Sequence, residues 1–95
     1  MPELTDNAAR SRYEMVIDGE TAFVTYTLAG TLAGERITLV HTEVPQALSG
    51  RGVGSTLAKA VLDDIRRRQL RLVPECTFIA GYIRKHPAFA DLIGD

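Results

Sequence analysis

The sequence predicts a mixed α/β (α+β) domain: a mostly antiparallel sheet with a long helix packed on it, in the order β-β-β-α-β-α. Three observations carry this. Between Tyr13 and Val44 apolar and β-branched residues recur in short runs separated by turn residues. After Pro45 the apolar residues recur every three and four positions instead. The 95 residues leave room for one compact core.

Met1 to Arg12 is polar, without an apolar period, and reads as a flexible N-terminal arm; residues 13–95 form the domain. Tyr13 to Ile17 is the first strand, and Asp18-Gly19 supplies the turn of a hairpin. Thr21 to Leu28, with Phe23, Val24 and Tyr26, is the return strand. Gly30 to Gly34 breaks the pattern. Arg36 to Val44 is the third strand, where simple alternation puts Ile37, Leu39, His41 and Glu43 on one face and Thr38, Val40, Thr42 and Val44 on the other. Pro45 ends it, because proline cannot donate to a ladder.

Val53, Leu57, Ala60, Val61 and Ile65 then mark one buried face of a helix over about Gly52 to Gln69. Lys59, Asp63, Arg66 and Arg67 fall on its solvated side. Leu70 to Val73 is a fourth strand stopped by Pro74. Thr77 to Lys85 is a second helix, interrupted by His86-Pro87 before a last turn over Ala88 to Ile93. Arg66-Arg67-Arg68 reads as the solvated end of the long helix, where positive charge complements the dipole.

Composition narrows the function. A formal net charge of −1 removes the broad basic footprint of a general nucleic-acid binder. The single cysteine, Cys76, excludes an internal disulfide framework and fits a reducing compartment, so a cytoplasmic setting is expected. No apolar run has the roughly 20 residues of a membrane span, the first residues do not form a signal peptide, and no metal site is expected.

The most informative segment is Ser49-Gly50-Arg51-Gly52-Val53-Gly54-Ser55, between the third strand and the long helix. Glycine at alternate positions near a helix start costs roughly 1 kcal/mol each relative to alanine. The pattern makes sense where backbone amides approach a phosphate or pyrophosphate at the positive end of the helix. Arg51 would add a charge-assisted contact. The P-loop pattern fails because Gly54, not Lys, precedes Ser55-Thr56; the dinucleotide fingerprint fails on spacing and on the meander before it. A turn that merely tightens the strand–helix connection is the plain alternative.

Together, a meander, a glycine loop opening a long helix, a short strand and a helix bearing a tyrosine resemble the GNAT-type N-acetyltransferases. There the loop runs Gln/Arg-x-x-Gly-x-Gly/Ala; Gly52 and Gly54 match its small positions, and Ser49 stands where Gln or Arg is expected. The chain is more closely similar to a compact, single-domain family of this type. Four blocks carry that likeness: His41-Thr42-Glu43-Val44-Pro45, Gly50-Arg51-Gly52-Val53-Gly54, Val73-Pro74-Glu75-Cys76 and Tyr82-Ile83-Arg84-Lys85-His86-Pro87.

The resemblance implies acetyl-CoA (coenzyme A) as cofactor and an unidentified amine as acceptor, in a monomer or homodimer without nucleic acid or membrane. It places the pyrophosphate on Ser49 to Ser55 and the thioester beside main-chain groups of Glu43 and Val44. Glu43 and His41 are candidate bases, against a solvated carboxylate and a backbone-bonded histidine. Tyr82 is a candidate proton donor to the thiolate, against an amphipathic core residue. Cys76 is a candidate acid, pocket wall or acetyl carrier, against a small buried hydrophobe. His86, Arg84 and Lys85 are candidate cofactor contacts. No helices follow the first strand to build an acceptor pocket, so a coenzyme A-binding sensor or accessory module without catalysis stands as the alternative function.

Overall fold

A single extra residue in the third meander strand decides which side chains meet at the centre of this domain. The computed structural model describes residues 3–31 and 34–94. One sheet contains, in spatial order, β1 (Leu4–Asn7), β2 (Arg12–Ile17), β3 (Glu20–Thr31), β4 (Gly34–Glu43) and β5 (Arg71–Pro74). The first four pair antiparallel and β5 joins β4 in parallel. A parallel step needs a crossover, which helix α1 (Val53–Arg67) provides. Helix α2 (Thr77–Lys85) and a 3-10 turn (Pro87–Leu92) follow β5.

The expected elements are present, with one correction. Leu4–Asn7, expected to lie in an unpaired arm, is an edge strand paired with β2 from Leu4↔Met15 to Asn7↔Arg12. It is too short and polar to announce itself, and side chains fasten it: Tyr26 donates to Asp6 Oδ1 at 2.5 Å and Arg68 donates to Asp6 Oδ2 at 3.1 Å. Residues 32 and 33, within the expected Gly30–Gly34 break, lie outside the described residues.

Both helices pack on one face of the sheet. Tyr13, Met15, Val24, Tyr26, Ile37, Leu39 and Leu72 meet Leu57, Val61, Leu62 and Ile65 of α1 and Ile79 and Ile83 of α2, all buried. Ala60, expected in this stripe, is only partly buried; Ala58 and Leu62 take the space. The opposite face carries Arg12, Glu14, Val16, Phe23 and Thr25, none of them buried.

The arginine run is more than a solvated helix end. Arg66 grips Asp91 with two 2.8 Å bonds and the Ala88 carbonyl at 2.9 Å, fixing the C-terminal turn to α1. Arg67 pairs with Asp64. Arg68 donates to the Tyr13 hydroxyl at 2.9 Å, and that hydroxyl donates to Asp64 Oδ2 at 2.8 Å. Burial and the Asp64 hydrogen bond push the Tyr13 phenol well above its ordinary range. Burial and Asp6 push Tyr26 up to about 12. Burial works against the charge on Asp64, but bonds from Arg67, Tyr13 and Arg68 outweigh it and hold the carboxyl below its usual value.

α1 stops in a Schellman turn: Gln69 N–H bonds the Arg66 carbonyl and Leu70 N–H the Ile65 carbonyl, both at 3.1 Å. Gln69 takes the left-handed conformation there, φ 58°.

Candidate functional site

β4 and β5 run together only from Arg36↔Arg71 to Leu39↔Pro74. The amide of Cys76 then bonds the Leu39 carbonyl at 2.8 Å, and the chain turns into α2 while β4 continues to Glu43. The two strands therefore splay, and the last residues of β4 have no β5 partner.

A β-bulge changes the faces at that place. Tyr26 pairs with Leu39 and Thr25 with His41, so Val40 is an extra residue in β4. Beyond it the alternation inverts. Thr42 pairs with buried Val24 on the helix-covered face; His41 and Glu43 pair with Thr25 and Phe23 on the uncovered face. The expected common face of Ile37, Leu39, His41 and Glu43 is thus corrected. His41 Nε2 and Glu43 Oε2 lie 3.8 Å apart, their side chains 59% and 58% exposed.

The inversion brings Thr42 Oγ1 to 3.1 Å from Cys76 Sγ. Cys76 is 6% exposed, partnered, and sits as the N-cap residue of α2. Thr42 escaped the sequence reading because regular alternation turned it the wrong way.

The glycines divide their work. Gly50 and Gly52 take φ of 79° and 73°, conformations that disfavour any side chain. Gly54 lies within α1, where a Cβ would stand 2.8 Å from Cζ of Phe78 on α2; the close approach there is an aromatic ring. Buried Leu48, in a short 3-10 turn (Gln46–Leu48), anchors the loop. Arg51, expected to reach a ligand, forms a 2.7 Å ion pair with Asp18 in the β2–β3 turn.

Neither helix is closed at its N-terminus. Gly52 caps α1 and Cys76 caps α2 without a side-chain hydrogen bond, and neither first turn contains an acidic residue. The first helical bond of α1 runs from Thr56 N–H to the Gly52 carbonyl. The amides of Val53, Gly54 and Ser55 thus have no partner within the helix.

Two cavities adjoin these ends. One of about 320 Å³ is lined by Val44, Leu48, Ser49, Gly50, Gly52, Val53, Gly54, Ser55 and Phe78. The other, about 430 Å³, is lined by Ser55, Thr77, Phe78, Gly81, Tyr82, Arg84, Lys85 and His86. Ser55 and Phe78 border both. Tyr82 stacks on His86, centroids 4.1 Å apart at 27°. The expected residues thus form three groups: the glycine turn with Val44, Ser49 and Ser55; the stacked Tyr82 and His86; and the splay with Cys76, His41 and Glu43. Phe78, which the sequence reading passed over, joins the first two.

A splayed strand pair beside a glycine turn and an open helix N-terminus defines an acetyltransferase-like α/β domain. The chain belongs to the GCN5-related N-acetyltransferase family, whose model matches residues 12–92. Among its relatives, Protein NATD1 of Gallus gallus is 44% identical over 55 residues, 57% of this chain and 50% of that protein. Protein NATD1 of Homo sapiens is 44% identical over 55 residues, 57% of this chain and 49% of the relative. Protein NATD1 of Xenopus tropicalis is 31% identical over 80 residues, 82% of this chain and 71% of the relative. The chain spans about half the length of the first two.

Proposed function

We propose that this chain binds acetyl-coenzyme A and transfers its acetyl group to an amine. The observation that carries the reading is the open N-terminus of α1 behind two left-handed glycines, with no acidic residue in its first turn. Three amides without a partner within the helix and the positive end of a 15-residue helix suit a pyrophosphate. The groups present therefore fit the cofactor.

Acetyl-coenzyme A supplies a thioester carbonyl and a thiolate leaving group. Main-chain groups of Glu43 and Val44, beyond the last β4–β5 pair, would polarise the carbonyl. Glu43 and His41, on the uncovered face, take the proton of the incoming amine. Cys76, held beside Thr42, would line the acetyl end, and Tyr82 on α2 would be the proton donor to the departing sulfur. The buried free thiol accords with a cytoplasmic setting.

Calorimetry with acetyl-coenzyme A should give a Kd in the micromolar range or tighter, lost in Gly52→Val. No heat and no thermal shift with excess ligand refutes the reading. Exposure of both candidate bases favours a second one, a coenzyme A-binding module without turnover. Thiol release with amines and Lys peptides, lost in Glu43→Gln, supports the enzyme; tight binding without release supports the module.

A further inference from the structure

The bulge in β4 aligns more than the two candidate bases. β3 has no extra residue, so Phe23, Thr25, Thr27 and Ala29 share its uncovered face, and their partners Glu43, His41, Thr38 and Arg36 share it too. β5 continues the rows, with Arg71 opposite Arg36 and Val73 opposite Thr38. Like charges facing each other on neighbouring strands oppose pairing. Neither arginine holds a carboxylate among the described residues.

Arg36 carries a further cost. Among the described residues its Nε is the one buried side-chain nitrogen or oxygen without a hydrogen-bond partner, and a buried donor left unpaired is destabilising. The guanidinium is thus placed by packing and not by a protein acceptor, which leaves its outer nitrogens for a ligand. A cavity of about 450 Å³ adjoins it, lined by Arg36, Leu72, Val73, Pro74, Ile93 and Gly94. Arg71 is not in that lining; its Cδ lies 3.0 Å from where a Cβ of Gly94 would stand. The cavity presents one cation among apolar walls, which suits a single negative charge on an apolar body. Pro74 pairs with Leu39 in the last β4–β5 pair, so the cavity reaches the place where the strands part. Along β4 that place is roughly 10 Å from Arg36.

We infer that the acceptor is an amine bearing a carboxylate, with the carboxylate on Arg36 in this cavity and the nitrogen where β4 and β5 part; the inference rests on the acetyl-transfer reading above. Arg36 is the specificity determinant, since its planar fork matches the two oxygens of a carboxylate. His41 and Glu43 stand further along the same face. In the transfer the amine nitrogen bonds to the acetyl carbon as the carbon–sulfur bond breaks. One amine proton goes to Glu43 or His41, and the sulfur leaves with the bonding pair and is protonated to the thiol. The carboxylate is unchanged.

The test has two arms. Without cofactor, the isotope-labelled full chain is titrated with 6-aminohexanoate, whose carbon chain spans most of that distance, and with its uncharged analogue 6-aminohexanamide. The acid should shift the Arg36 Nε–Hε resonance saturably and the amide should not. Equal effects, or none, overturn the inference and leave the acetyl-transfer reading standing. Thiol release from acetyl-coenzyme A is then measured with the same two amines. kcat/KM should be about tenfold higher for the acid, equivalent to about 1.4 kcal/mol, with the difference in KM. Arg36→Gln should bring the two amines to parity. A preference that survives in Arg36→Gln overturns the inference, since the carboxylate is then read elsewhere. A resonance shift without thiol release from either amine overturns the acceptor assignment; if calorimetry also shows no binding of acetyl-coenzyme A, the acetyl-transfer reading falls with it. The native comparisons depend on no variant, and unchanged melting temperature of Arg36→Gln shows that it folds.

Discussion

Gly54 and Phe78 make a quantitative test of how the glycine turn is built. Alanine inside a helix is favoured over glycine by up to about 1 kcal/mol, and Gly54 already has an ordinary helical conformation. Gly54→Ala would therefore stabilise α1 were it not for Phe78, whose Cζ lies 2.8 Å from the new Cβ. Relaxed carbon contacts lie near 3.5–4.0 Å, so the ring must retreat by roughly 1 Å. Phe78 is 43% exposed and can turn toward solvent, which puts the strain at the low end of overpacking costs, about 1 kcal/mol. Gain and strain nearly cancel, and Gly54→Ala alone should change stability by less than about 0.5 kcal/mol. In a Phe78→Ala background the same change should stabilise by up to about 1 kcal/mol, a coupling of about 1 kcal/mol across the cycle. Urea denaturation followed by circular dichroism measures all four proteins. An identical Gly54→Ala effect in both backgrounds, within about 0.3 kcal/mol, would refute the contact and return Gly54 to the role of a ligand-facing position.

Gln69→Gly should stabilise the chain by about 0.5–1 kcal/mol, raising the melting temperature by a few degrees, because the Schellman turn then needs no side chain at positive φ. Asp18→Asn should cost less than about 1 kcal/mol, since the Arg51 pair is exposed, and should tighten coenzyme A two- to threefold in calorimetry by freeing Arg51. The Tyr26 phenol is raised to about 12, so its stabilising contribution is complete below its unfolded value near 10 and is lost as pH climbs from there toward 12. Tyr26→Phe should flatten this alkaline loss in urea midpoints. The depressed Asp64 carboxyl acts oppositely: its contribution is full above its unfolded value near 3.9 and is lost as pH falls through the folded value. Asp64→Asn should shallow the acid limb.

What the sequence made legible was whatever local chemistry dictates. Asp18-Gly19 marked the β2–β3 turn, the three-and-four spacing from Val53 to Ile65 marked α1, and the bounds of α2 agree at Thr77 and Lys85. The blocks around His41, Gly50, Val73 and Tyr82 pointed to the family that the residue 12–92 match bears out. Long-range contacts were not legible. The bulge at Val40 has no glycine or proline to announce it, yet it exchanges the faces of Thr42 and His41. β1 is held by Asp6 reaching residues 20 and 62 positions away. The spacing of Gly50, Gly52 and Gly54 could not separate two glycines that turn the backbone from a third that accommodates Phe78.

The two ends of α1 are finished unequally. Its C-terminal end is tied through Arg66 to the final turn, through Arg68 to β1 and through Asp64 to Tyr13 of β2, and is closed by backbone bonds. Its first turn has no side-chain cap. Amide hydrogen exchange should therefore be graded along the helix, fast at Val53 to Ser55 and slow toward Ile65. An anion seated at the open end would complete the helix, so occupancy would be reported as slowed exchange at three consecutive amides. Because such a ligand binds the folded chain alone, the same event would raise the unfolding free energy with the logarithm of ligand concentration.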